Sequence, residues 1–268
     1  MKLMMTMAVI ASVLAAQSCI LEDRTGCPTY LTLDLSSTPE EVGLIHLILE
    51  HEDGITYRDT VYRDGFLSGY EIPVRKGRLS VAAFGNPAGM VYDRGYTVPA
   101  GEQADSLYTC FFSAEYSSEL SSDTVRVMRN FIGLHIRILG QTADTDSLKI
   151  CVESSSVGYD LHGNIITGAY SHSPAPRHLP DSSGWYYEYS SRLTRLAGEN
   201  LSLTVSTVSS GADVPLIRME LAEYIRQTGM SMDDDELGDV YVTVDFARAS
   251  ITVSPVDWNY NRHVEISI

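Results

Sequence analysis

Cysteine is scarce in this chain. It occurs four times in 268 residues, at positions 19, 27, 110 and 151, far below the roughly 8–10% of a disulfide scaffold. Positive charge is scarce as well: 19 Lys and Arg stand against 35 Asp and Glu, for a formal charge of −16. A surface of that sign repels phosphate, which excludes nucleic acid as a partner and a polybasic grip on lipid headgroups. Motifs of catalysis are missing too. There is no Gly-rich phosphate loop, no G-x-S-x-G elbow, and no H-E-x-x-H among the seven histidines. The acidic run at 233–236 lacks the central glycine and spacing of a calcium loop and reads as a solvated turn. His172 and His178 flank a proline-containing loop and read as solvated, and His135 reads as an exposed strand residue. No metal or cofactor is expected, and nothing marks the chain as an enzyme.

Long hydrophobic runs are also absent, with one exception at the N-terminus. Residues 3–16 are apolar, follow a single Lys2, and end in the small residues Ala16 and Ser18. That is the layout of a secretory signal peptide over 1–18, and it is shorter than the ~20 residues that span a bilayer. Cys19 stands first after the cut, where bacterial lipoproteins receive their acyl chains. Ala16 departs from the Leu, Val or Ile usual three residues before such a cysteine, and Ala16 with Ser18 also suits ordinary cleavage. Cys19 is therefore read as the lipidation site, with a disulfide or free thiol as the alternative. Residues 19–27 form a tether carrying Glu22 and Asp23. If Cys19 is acylated, three cysteines remain and one is unpaired. Cys151 sits in a strand pattern, opposite Leu148, Ile150 and Val152, so Cys27 and Cys110 are the expected disulfide.

What is present is a globular composition, 44% hydrophobic and 20% charged, with period-two alternation almost throughout. Leu31, Leu33 and Leu35 alternate with Thr32 and Asp34, Ile45, Leu47 and Leu49 alternate with His46 and Ile48, and Asp53-Gly54 reads as a turn. Alternation restarts with Ile132, Leu134, Ile136 and Ile138, then Leu148, Ile150 and Val152, and later Val240, Val242 and Val244. The serine-rich stretch 113–122 is the expected seam, giving two mainly β domains over 28–118 and 119–268. Residues 158–184, with Pro174, Pro176 and Pro180, read as loop. Ile217, Leu221, Tyr224 and Ile225 follow helical spacing closed by Gly229, although the first half suits a strand equally. The final alternation, Val264, Ile266 and Ile268, either completes its own sheet or pairs with a neighbouring subunit, and pattern leaves both open. Trp185, Tyr186, Tyr187 and Tyr189 read as core packing before a sugar platform. Trp258 reads as a packing anchor.

The order of short cues resembles the FimB-type minor fimbrial subunit family, surface lipoproteins of anaerobic Gram-negative bacteria. The cues are the leader with Cys19, the acidic pair and Cys27-Pro28 running into a Leu-alternating strand. They continue with Asp53-Gly54, Gly101 with Ala104-Asp105-Ser106-Leu107-Tyr108, Arg129-Asn130-Phe131-Ile132, and Pro255-Val256-Asp257-Trp258 before the last strand. The resemblance implies two tandem transthyretin-like β-sandwiches, lipid on Cys19 in the outer membrane, and a surface location. It implies a role in anchoring fimbriae and limiting their length, or in an accessory position. It also implies pairing with fimbrial structural subunits by strand donation, with Val264, Ile266 and Ile268 as the donated face. Related stalk subunits lose their first strand after an arginine, and here Arg24 occupies such a place. A carbohydrate-binding surface lipoprotein and, behind it, a β-sandwich hydrolase stand as alternatives.

Overall fold

Alternating apolar positions between Thr29 and Arg129 build two facing sheets. The computed structural model describes residues 27–88, 94–140, 148–181, 184–195, 200–209, 211–231, 238–256 and 264–267. The leader, Cys19, the acidic run at 233–236, Trp258 and Ile268 lie outside the described residues. One sheet has the order β4 (Tyr70–Val74), β1 (Thr29–Asp34), β8 (Leu120–Thr124), with β1 in the middle. The other runs β3 (Thr56–Tyr62), β2 (Leu44–His51), β5 (Gly77–Gly85), β7 (Tyr108–Tyr116), β9 (Met128–Arg129). Leu31, Leu33 and Leu35 meet Ile45, Leu47, Leu49, Leu79 and Val81 in a fully buried core. The turn closing β2 is tied by the His51 Nδ1 bond to Asp53 at 2.6 Å and the Arg75 pair with the same carboxylate at 2.6 Å.

The serine-rich seam is not a linker. Its residues form the end of β7 and most of β8, and β8 returns to the first sheet, parallel to β1. Val125 and Val127, just beyond, are buried in the first core. Residues 119–127, expected beyond the boundary at 118, thus lie with the first core. As an edge strand with one face wet, β8 needs no apolar alternation, so its sequence looks like a linker.

Beyond Arg129 a six-stranded sheet has the order β13 (Pro176–Asp181), β14 (Gly184–Thr194), β10 (Phe131–Leu139), β17 (Asp239–Asp245), β18 (Ser250–Val256), β19 (Val264–Ser267). It faces a second sheet of β12 (Ile165–His172), β11 (Leu148–Tyr159), β15 (Leu201–Ser209) and β16 (Ala212–Glu220), with β6 (Tyr96–Thr97) added on β11. Gly158 permits that addition: a Cβ there would lie 1.8 Å from the Tyr96 carbonyl oxygen. Much of the loop expected over 158–184 is strand. Both β12 and β13 are edges, so one buried tyrosine suffices for β12, and β13 tolerates Pro176 and Pro180. The helical spacing resolves into a strand and then a helix. Ile217 lies in β16, the helix α1 spans Leu221–Gln227, and Gly229 with φ 92° follows its C-cap.

The chain is mainly β, and its two cores share a sheet. Along β2 and β5, Ile45, Leu47, Leu49, Val81 and Ala83 point into the first core, while Ile48, Ala82 and Phe84 point into the second. Phe111 of β7 packs edge-on against Phe84 at 5.5 Å on the same side. Tyr96, Val98, Ala104 and Leu107, from the first half of the sequence, are buried in the second core as well. The middle sheet is thus covered on both faces, which is why β5 reads V-A-A-F without polar relief.

Candidate functional site

The first strand is placed by two ladders at once. β1 pairs antiparallel with β4, Leu31 opposite Ile72, and parallel with β8, Leu31 opposite Ser121. The Tyr30 amide donates to Glu119 O at 2.8 Å, and the Val125 amide donates to Asp34 O at 2.9 Å, so both ends are pinned. Thr29, Leu31 and Leu33 are fully buried, while Tyr30 is half exposed on the outer face. Tyr116 adds a bond from its hydroxyl to Asp123 of β8 at 2.9 Å. Burial first, and then the Asp123 carboxylate, raise that phenol far above its ordinary range, so it stays a donor.

At the other end of the chain, β19 lies on β18 in its own sheet, with Ile266 opposite Ile251 and Val264 opposite Val253. It is an edge strand with no neighbour on its far side among the described residues. Val264 and Ile266 are half buried, and Glu265 and Ser267 are exposed. The three residues expected on the partner face thus divide: Val264 and Ile266 cover their own sheet, and Ile268 lies outside the described residues.

The cysteine expectation is corrected. Cys27 and Cys110 do not pair, and Cys27, Cys110 and Cys151 are all free. Cys27 is exposed ahead of β1, whereas Cys110 points from β7 into the edge of the first core. Burial pushes the Cys110 thiol up, so it behaves as a small apolar residue. Cys151 lies 3.3 Å from the Ser171 hydroxyl on the outer face of its sheet.

The aromatic run splits in the way alternation demands. Tyr189 is buried in the second core and Tyr187 packs against it, while Tyr186 faces outward under Arg137 at 4.4 Å. They do not share one exposed platform. His135, on the same outer face, is half buried rather than exposed and stacks on Tyr241 at 4.6 Å.

The cue Arg129-Asn130-Phe131 is the joint between the cores, a role that sequence spacing does not reveal. Asn130 donates to Thr109 Oγ1 at 2.7 Å and accepts from Arg195 Nε at 3.0 Å, and its carbonyl accepts from the Tyr159 hydroxyl at 3.1 Å. Arg129 pairs with Asp239, which also accepts from the Gly133 amide at 3.2 Å and lies 3.7 Å from His135. His135 first, and then Arg129, hold the Asp239 carboxyl at about 2, against burial and below its ordinary 3.8. A depressed carboxylate stabilises the fold above its unfolded value and loses that contribution as pH falls. Asp239 is therefore expected to contribute roughly 1–2 kcal/mol after solvent screening, fully present above about pH 4 and lost towards pH 2. Urea unfolding at pH 5 and pH 2 checks this. Asp239→Asn should be weaker than wild type at pH 5 and close to it at pH 2, and an equal gap at both would count against it.

Comparison with known proteins starts from a sequence that no protein-family model and no curated protein matches. Solved structures do match. The fimbrial anchor protein Mfa2 from Porphyromonas gingivalis superposes with a TM-score of 0.62 over 90% of this chain and 96% of that one, at 13% identity. The chain has the fold of a fimbrial anchor. The same fold occurs in a candidate adhesin from Bacteroides thetaiotaomicron, with a TM-score of 0.60, 16% identity, and coverage of 85% and 96%. A candidate polysaccharide-binding protein from that organism also shares it, with a TM-score of 0.62, 12% identity, and coverage of 88% and 100%. Among the described residues, β1 lies in the middle of its sheet and β19 at one edge of its own. No helix among the described residues is long and apolar enough to cross a membrane.

Proposed function

We propose that this protein is a surface lipoprotein at the base of a fimbria, holding the fibre to the outer membrane and ending its growth there. One observation carries the reading: β1 fills the middle of the sheet β4-β1-β8 with its own chain. A stalk subunit must offer an open seam for the strand of the next subunit, and here that seam is occupied. Displacing β1 would expose Leu31, Leu33 and Leu35, roughly 5–9 kcal/mol of burial, comparable to the whole stability of a domain. Such a chain can give a strand and cannot take one, so it stands at an end. The strand to give is β19, a four-residue edge with two half-buried aliphatics and little to lose on leaving. Lipid on Cys19 would fix the other end. The eight peptide steps from Cys19 to Cys27 reach no more than ~30 Å, which keeps the first core against the membrane.

Similarity to the Mfa2 anchor and to the candidate adhesin supports this reading over a catalytic one. The test compares two strains. Cys19→Ala should release both the protein and its fimbriae into the medium. Truncation after Asn261 should leave the protein on the membrane and shed the fimbriae. Normal fimbrial retention in both strains would overturn the proposal, and a collapsed fold after truncation would show that β19 belongs permanently to its own sheet.

A further inference from the structure

The outer face of the six-stranded sheet carries a concavity of about 640 Å³, bounded by the 101–104 and 172–176 segments. Its charged lining is Arg177 of β13 and Arg192 of β14, joined by His135 and His172, and it contains no carboxylate. In a chain with 35 acids and 19 bases, such a lining is out of keeping with the rest of the molecule. Two acids border it: Asp239 pairs with Arg129 and lies 3.7 Å from His135, and Glu188 stands opposite Arg137 and Arg177 in the ladder, outside the lining.

The polar groups are already positioned. Arg192 Nε donates to the Ala104 carbonyl at 3.0 Å, which fixes its guanidinium plane. His172 Nδ1 donates to the Gly101 carbonyl at 2.9 Å, which leaves Nε2 as the ring's remaining polar atom. His135 is held by its stack on Tyr241 and by the Ser190 hydroxyl at 3.2 Å. Opposite these groups, Pro174, Ala175 and Pro176 provide an apolar wall, and Gln103 supplies an amide at the rim.

We propose that this concavity binds a carboxylated saccharide of the hexuronate class. The carboxylate meets the Arg177 and Arg192 forks, which match its geometry. Ring hydroxyls meet His172 Nε2, Ser190 and Gln103, and the C–H face of the ring lies on the proline wall. The volume accommodates more than one sugar ring, within the range of small-molecule sites. An acidic peptide fits less well. Extended peptides bind by adding to a strand edge, and the edge here is β13, where Pro176 and Pro180 have no amide to donate. The proposal is independent of the fimbrial-base reading, since it invokes neither β1 nor β19.

The experiment is calorimetric titration of the full mature chain with trigalacturonate, maltotriose and hexaglutamate. Trigalacturonate should bind with a measurable heat and maltotriose should not. Arg177→Glu, an exposed position, should weaken trigalacturonate at least tenfold without moving the melting transition. Should that variant fold poorly, the wild-type protein still decides: the imidazole NMR signals of His135 and His172 should shift on adding trigalacturonate and stay put with maltotriose. Absence of binding at millimolar trigalacturonate, equal binding of maltotriose, or silent histidine signals would each overturn the proposal. Tighter binding of hexaglutamate would do so too, reassigning the site to an acidic peptide.

Discussion

Leu33→Asp is expected to unfold the chain. Leu33 is fully buried in the middle strand of β4-β1-β8 and touches the apolar face of the facing sheet. Removing it forfeits roughly 1.5–3 kcal/mol of burial, and the aspartate that replaces it adds several kcal/mol because the described residues around it in the core are apolar and cannot pair with it. The sum reaches or exceeds the ~5 kcal/mol at which a domain loses its margin. Tyr30→Asp on the same strand points outward at 47% exposure and should cost less than about 1 kcal/mol. Urea unfolding followed by tryptophan-independent probes, such as far-UV circular dichroism, distinguishes the two. A folded Leu33→Asp protein within about 1 kcal/mol of wild type would show that β1 is not a core strand, and the argument for a closed seam would fall with it.

Phe84→Ala is expected to weaken both halves together. Phe84 belongs to β5 by sequence, but its ring is buried in the second core, edge-on to Phe111. Truncation should cost about 3–5 kcal/mol through lost burial and the cavity left behind. Because the middle sheet serves both cores, the loss should appear in the whole chain's unfolding rather than in one half. Calorimetry checks this. Wild type should show a single transition, and the variant a single lower one. An unchanged second transition beside a lowered first one would mean that the cores are independent.

Alternating strands could be read directly from the sequence: Leu31 to Leu35, Ile45 to Leu49, and Ile132 to Ile138 all lie in strands or their immediate flank, with the predicted inward face, although Ile48 of the second also fills the other core. Edges could not. β8, β12 and β13 carry serines, threonines and prolines because only one flank and one face must be satisfied, and such composition is indistinguishable from loop. The double use of β5 was hidden for the opposite reason, since a strand buried on both faces shows no alternation. Of the candidate site, the first and last strands themselves were visible in their alternation, and their partners were not. Pairing across ninety residues, as between Thr29 and Ser121, leaves no local mark. The disulfide expectation failed because counting cysteines says nothing of direction: Cys27 is exposed and Cys110 points into the core edge. The cation-lined concavity was equally invisible, since its two arginines and two histidines come from four strands spread over positions 135 to 192.

The parallel seating of β1 against β8 also has a mechanical meaning. A strand peeled sideways from a sheet's edge gives up its hydrogen bonds one after another. A strand drawn along its own axis from the middle of a sheet must slip past both neighbours at once, with every bond of both ladders loaded together. Tension arriving through the residues ahead of Cys27 runs along β1 in that second way, over the five paired positions it shares with β4 and the five it shares with β8. A load applied at the N-terminus, as the proposed anchoring would apply it, thus pulls β1 in shear, the direction in which a short sheet is strongest.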